Sequence, residues 1–420
     1  MVPPWSGLHP AFLGLHVQPR TVWSLIMTKL MTNCQTIARA SVCLLLAIAG
    51  ACAAPSVSRQ MSTEGMPPVS RPVSSVGLEA AARHAMATGT RALIIQQDGR
   101  ILLEHYAAPG AADRVEFLAS GTKSFACAIA AAAQADGLID LDEPAATAIP
   151  TWRTEQSQKS DIRVRDLIAL SHGLGSMQAV GLELNRVDSY DQALAAPVAR
   201  PPGTAAVYGP TGFQAFSAYF ELKTGGVIGA DGTIVGGRDP VTYLQERVLS
   251  RIGARTGAWL RDARGKPNLS GGASFTARDW LLYGQFIMQR GQWQGKQLIP
   301  GDLIARCGTS PSPAFAGYGL GFWLNRQVLD SYAAGEDRLP MEAPIRAQLA
   351  DGGNIVPSAP EDMLIAWGLG NMKMFIIRSR GLVIVKLAGS AYDTVFFNHL
   401  LSGSEPAAAP GPSPASGPLP

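Results

Sequence analysis

The sequence predicts an α+β fold: an antiparallel sheet flanked by terminal helices, with a mostly helical region inserted between its strands. Three observations carry this reading. Strand-like runs stand at both ends of the body, helical periodicity fills its middle, and tight turn dipeptides join neighbouring runs. The totals agree with a large packed core. Of 420 residues, 47% are hydrophobic and 16% are charged, unlike a disordered chain. The formal net charge is +3, and no Lys/Arg run would track a phosphate backbone, so no nucleic-acid partner is expected.

Taken in order, the body opens with a helix pattern, Gly77 to Ala85. Two strand runs follow, Ala92 to Gln96 and Ile101 to Tyr106, joined by Asp98-Gly99. That dipeptide supplies the two positive-φ positions a two-residue hairpin turn demands. Helical periodicity marks Ser120 to Ala135, Asp166 to Ser171, Pro210 to Leu222 and Thr276 to Gln289. Three strand runs close the body: Met363 to Trp367, Met374 to Ile377 and Leu382 to Lys386, with Arg380-Gly381 as the last turn. A final helix spans about Tyr392 to Leu401. Strands drawn from both ends of a chain leave a cleft between sheet and helical insert, where a site would sit.

The ends read differently. Arg39 precedes the apolar run Val42 to Ala49, and small residues follow through Ala54. A basic flank, a short apolar stretch and an A-x-A-like site mark a secretory signal. The run is short for a permanent span. Residues 1–54 are therefore an over-extended start plus a signal peptide, with translation beginning at Met27 or Met31. Ala49-Gly50-Ala51-Cys52 also resembles a lipoprotein box, which would make Cys52 a lipid anchor. Residues 55–73 form a Ser/Pro-rich linker, 74–403 the folded body, and 404–420 a disordered Pro/Ala-rich tail. The expected location is the periplasm or cell envelope.

Of five cysteines, Cys34, Cys43 and Cys52 lie in the front segment, Cys127 and Cys307 in the body. Cys127 stands in an apolar run and reads as a small core residue. The spacings suggest neither a zinc site nor a disulfide framework.

The chemistry-bearing motif is Ser120-Gly121-Thr122-Lys123. At a helix start, positions three apart share a face, so hydroxyl and amine can meet. Burial would lower the lysine pKa and let it accept the serine proton. The bare pattern has a bland alternative, Ser120 as a helix cap and Lys123 as a solvated side chain; about one such match arises by chance in this composition. Context favours the chemical reading. Phe117-Leu118-Ala119 approaches the serine, an Ala-rich helix follows the lysine, and Arg200 to Thr204 feeds Tyr208-Gly209-Pro210 ahead of a helix. A phenol beside Lys123 could take or relay a proton. His172 in its Gly-rich turn reads as structural, and His105 as solvated.

Further segments share order and spacing with a known family: Asp136 to Pro144, Ile162 to Leu174, Gly271 to Trp280 and Tyr318 to Trp323. With the Ser120 and Tyr208 motifs, the chain resembles the serine hydrolases that include class C β-lactamases, D-alanyl-D-alanine carboxypeptidases, related esterases and 6-aminohexanoate-dimer hydrolases. The resemblance implies the β-lactamase/transpeptidase-like fold, Ser120 as acylated nucleophile, Lys123 as its activating partner and Tyr208 as general acid/base. It implies no metal or cofactor. By the same analogy the oxyanion hole would be the N–H groups of Ser120 and Leu369. Pro210, Trp367 and Gly368 would border the substrate.

Two departures bear on substrate. Pro210 stands where β-lactamases of this type carry an Asn, and it brings no side-chain donor. Ala366 stands where Lys or His is usual, so the partner for a substrate carboxylate is missing. Both favour a neutral ester, amide or short peptide-like substrate. The alternatives are a true β-lactamase or DD-peptidase and, from another class, a catalytically silent envelope protein that binds through the cleft.

Overall fold

The computed structural model describes residues 71–154, 158–175, 189–312, 315–326, 353–390 and 393–402. The leader 1–54, nearly all of the linker 55–73, Cys52 and the tail 404–420 lie outside the described residues. No described helix is long and apolar enough to cross a membrane.

The body begins with α1 (Ser75–Ala87), capped by Ser74, whose hydroxyl accepts the Gly77 N–H at 3.0 Å. The hairpin β1 (Thr90–Gln97) and β2 (Arg100–Tyr106) turns through Asp98 and Gly99, with φ of 47° and 76°, the pair of left-handed positions its sequence called for. The short β3 (Glu116–Phe117) leads into a 3-10 helical segment, Ala119–Ser124, continued by α2 (Phe125–Ala135). Helix α3 (Val164–Ile168) is followed by a turn in which Leu170 has a φ of 62°. Next come α4 (Thr211–Lys223), β4 (Thr256–Trp259), β5 (Ala273–Phe275) and α5 (Ala277–Met288). Thr276 caps α5 by accepting the Asp279 N–H at 3.1 Å. The chain closes with β6 (Trp323–Leu324), β7 (Met363–Gly368), β8 (Met372–Ile377), β9 (Leu382–Ala388) and α6 (Thr394–Leu401).

The main sheet runs β6-β7-β8-β9-β1-β2, every neighbour antiparallel. Its first and last strands in sequence thus meet: Ile94 pairs with Val385 across β1 and β9. Helix α5 covers one face, where Gln96 reaches Gln285. Helices α1 and α6 cover the other, where Phe397 meets Phe375 edge-on at 5.0 Å. A second small sheet, β3-β5-β4, brings Phe117 beside Ser274. The architecture is the α+β arrangement expected from sequence.

One expectation is corrected. Cys127 is not a lone core thiol: it forms a disulfide with Cys307, 180 residues away, at a Cα separation of 5.7 Å. Both residues are fully buried.

Candidate active site

The Ser120 turn is set by the chain that leads into it. β3 delivers the chain from the small sheet, and Ala119 then takes a φ of 47°, a strained setting for a residue with a Cβ. The following residues coil as a 3-10 helix, with the Gly121 N–H donating to the Leu118 carbonyl at 3.0 Å. In that geometry side chains three apart eclipse. Ser120 and Lys123 therefore stand one above the other, and the Lys123 Nζ lies 3.2 Å from the Ser120 Oγ.

Lys123 is 4% exposed. Its Nζ donates to the Ser270 carbonyl at 2.7 Å and lies 5.0 Å from the centre of the Tyr208 ring and 5.4 Å from that of Phe213. Burial among these neighbours brings its pKa down to about 7. The Ser270 carbonyl is itself fixed. Asn268 Oδ1 accepts the Ser270 N–H and hydroxyl at 3.1 and 2.7 Å, and Gln214 of α4 accepts the Leu269 N–H at 2.9 Å.

Tyr208 arrives from the opposite side, on the turn before α4. The Val207 N–H donates to Leu170 and the Gly203 N–H to Ser171, both at 2.8 Å, so the loop rests on the segment after α3. The Tyr208 ring stacks on Trp323 at 5.7 Å, and Ser120 is the polar side chain that acts on its hydroxyl. Burial pushes the phenol up to about 12, the neighbouring Ser120 side chain acting the other way. Hydroxyl, amine and phenol, spread over 89 positions of sequence, thus meet in one place. At neutral pH the phenol holds its proton while a large share of the amine is free, which suits Lys123 as acceptor and Tyr208 as donor.

The end of β7 closes the site. A methyl group on Gly368 would collide with the Leu118 carbonyl and come within 2.9 Å of the Gly121 nitrogen. Only glycine lets the strand end lie against the Ser120 turn. Leu369 follows directly and is 81% exposed at the surface. Ala366 sits 2% exposed one pleat earlier on the same face. Pro210 is half-buried at the start of α4, where its carbonyl accepts the Gln214 N–H at 3.0 Å.

Trp367 needs correction. Strand alternation turns it to the face opposite Ala366 and Gly368. There the Lys373 ammonium lies 4.3 Å from its ring centre, in the layer beneath α6 where Asp393 pairs with Lys373 and Lys386. It does not border Ser120.

His172 is buried and structural: its Nδ1 accepts the Leu174 N–H at 2.9 Å, and burial brings its pKa down to about 4. His105 is exposed on β2. Sequence reasoning missed the Ser270 carbonyl, the Trp323 stack and the disulfide. The first two lie in or beside segments that carry the resemblance, Gly271 to Trp280 and Tyr318 to Trp323, so a signal was present without a role attached.

The family model described as Beta-lactamase matches residues 78–398. The chain belongs to the beta-lactamase family. Solved structures repeat its fold at low identity. One described as a 6-aminohexanoate-dimer hydrolase from Bacillus anthracis has a TM-score of 0.58 at 16% identity, covering 80% of this chain and 85% of that one. A penicillin-binding protein homolog from Caulobacter crescentus gives 0.53 at 14%, covering 78% and 98%. A D-stereospecific amidohydrolase from Streptomyces sp. gives 0.52 at 16%, covering 79% and 99%. At these identities the likeness is one of fold. No curated protein sequence matches the chain.

Proposed function

We propose that this beta-lactamase family member is an exported serine hydrolase that cleaves a neutral ester or amide through an acyl-enzyme on Ser120. The observation that carries the reading is the convergence of Ser120 Oγ, Lys123 Nζ and the Tyr208 phenol. In the first step Lys123 takes the Ser120 proton as Oγ bonds to the substrate carbonyl carbon. The N–H groups of Ser120 and Leu369 hold the oxyanion. The carbonyl re-forms, the bond to the leaving group breaks, and Tyr208 delivers a proton to it, to be replaced from Lys123. Water then repeats the sequence on the ester and frees Ser120. Gly368 and Pro210 border the substrate.

Ala366 supports the neutral-substrate part. A short buried methyl stands where the family resemblance places a cationic or imidazole group, and Pro210 offers no amide donor. The family match favours a second reading, β-lactam turnover, which those two positions oppose. The Cys127–Cys307 crosslink supports export, since disulfides persist in oxidising compartments. Periplasm or envelope is the proposed location, with Cys52 as a lipid anchor or the signal simply cleaved.

The test is one preparation of the full chain assayed with p-nitrophenyl esters, short ω-amino-acid oligomers and nitrocefin, and labelled with a fluorophosphonate probe. Ester or amide turnover with the label on Ser120 is expected. Dominant nitrocefin turnover would shift the assignment to a β-lactamase, and absence of label would leave a silent binding protein.

A further inference from the structure

The segment that leads from Cys307 into β6 forms one wall of the site. Gly321, left-handed at φ 83°, presses against the Lys123 carbonyl so closely that any side chain would collide. Its N–H donates to the Ile168 carbonyl at 3.0 Å. The Ser312 hydroxyl donates to Gly203, in the loop that carries Tyr208, at 2.8 Å. Trp323 stacks on the Tyr208 ring, the planes 20° apart, and Tyr318 braces Trp323 edge-on at 4.9 Å. The wall therefore touches the backbone of the lysine and the ring of the phenol.

Its attachment to the nucleophile helix is covalent. Cys307 starts the wall, and its carbonyl lies against Gly319, where no side chain would fit. Cys127, its disulfide partner, is one helical turn beyond Lys123. Non-covalent ties hold it as well: Tyr318, Leu320 and Phe322 are buried, and Asn325 just beyond it bonds to Val356 and Ala359. β6 contributes two residues to the sheet edge. Beside the crosslink, Arg306 donates two hydrogen bonds to the Asp142 carboxylate at 3.2 and 3.0 Å.

We propose that the Cys127–Cys307 disulfide is a positioning device for the site: it fixes the wall, residues 307–312 and 315–324, to the Lys123 helix and so sets where Trp323 holds Tyr208. Neither sulfur takes part in the chemistry. This rests on the reading of Ser120, Lys123 and Tyr208 as the reacting groups. A phenol displaced by about 1 Å loses the alignment a proton relay needs, which lowers turnover more than binding. The crosslink makes activity depend on oxidation of this pair, as suits an enzyme that matures after export.

The experiment compares the full-length wild type, its crosslink verified by non-reducing peptide mapping, with C127A/C307A and with Trp323→Leu. The readouts are the rate of fluorophosphonate labelling at Ser120 and kcat and KM on p-nitrophenyl acetate, taken well below each melting temperature. Both variants are expected to label slowly and to lose roughly 10- to 100-fold in kcat with KM within about twofold of wild type. A C127A/C307A protein that is folded and labels and turns over at the wild-type rate would overturn the proposal, leaving the disulfide a stabiliser only. Where that variant does not fold, C127S/C307S takes its place with the same two outcomes, and Trp323→Leu tests the second half alone: unchanged kcat there overturns the idea that Trp323 holds Tyr208. A wild type that takes no label sinks the hydrolase reading itself, and this inference with it.

Discussion

Lys123 faces a carbonyl, a hydroxyl and two aromatic rings, with its nitrogen almost wholly removed from water. Desolvation acts on the ammonium and leaves the neutral amine almost untouched. Because the folded value falls from 10.5 to about 7, the amine is protonated, and useless as a base, once the pH drops below about 7. The expected outcome is a kcat/KM that falls as pH is lowered through about 7, with no matching alkaline fall up to pH 9, because Tyr208 stays protonated until about 12. A pH–rate profile on p-nitrophenyl acetate checks it; a flat profile between pH 5 and 8 would contradict it. Ser120→Ala should abolish turnover with the fold intact. The same shift acts on stability. Between about 7 and 10.5 the unfolded chain binds the proton and the folded one does not, so stability rises with pH across that window. Below it the cost of burying the ammonium is present in full. Lys123→Met should therefore eliminate turnover and yet raise stability at pH 6 by roughly 2–4 kcal/mol, seen in denaturant unfolding.

At the scale of elements, two backbones must nearly touch. The end of β7 is held in register by its ladder to β8, Gly368 opposite Met372, while the Ser120 turn is held by β3 and α2. Neither can yield without disturbing its own sheet or helix. Gly368→Ala inserts a methyl group against the Leu118 carbonyl, so strand and turn must part and the Leu369 N–H must move. The expected result is a loss of about 10²–10³ in kcat and about 1–3 kcal/mol of stability, read by turnover and thermal unfolding. How much of this was legible follows from what is local. The β1–β2 hairpin was readable because Asp98-Gly99 carries its own turn geometry, and α5 because a 3.6-residue period runs from Thr276 to Gln289. The strands β3 to β6 span two to four residues, too short for a period, and exist only through their partners. The 3-10 form of the Ser120 turn, which eclipses Ser120 and Lys123, depends on the Leu118 carbonyl and not on a composition signal. Trp367 was misjudged for a related reason: the motif gave its place along the strand, while the pleat decides which face it serves.

For the whole molecule, the sheet closes only when the last strand built meets the first. β9 inserts between β8 and β1, so the hairpin from the start of the body has no edge to join until the chain is nearly complete. That much could be inferred from strand runs at both ends. The Cys127–Cys307 contact could not, since it brings together two residues 180 apart through the packing of the helical region. The late closure places weight on α6. Phe396, Phe397 and Leu400 are fully buried against the sheet face and α1, and Phe397 seals Phe375. At about 1.5–3 kcal/mol each, these three side chains contribute on the order of 5–9 kcal/mol. A domain's whole margin is about 5–15 kcal/mol. A chain truncated after Asp393 should therefore lose its cooperative thermal transition in circular dichroism and expose apolar surface. A chain truncated after Gly403 should melt as the full chain does, because the Pro/Ala-rich tail has too little apolar bulk to bury. If the shorter chain keeps a sharp transition near the parent temperature, the sheet is self-supporting and the terminal helices are a cover, not a component of its stability.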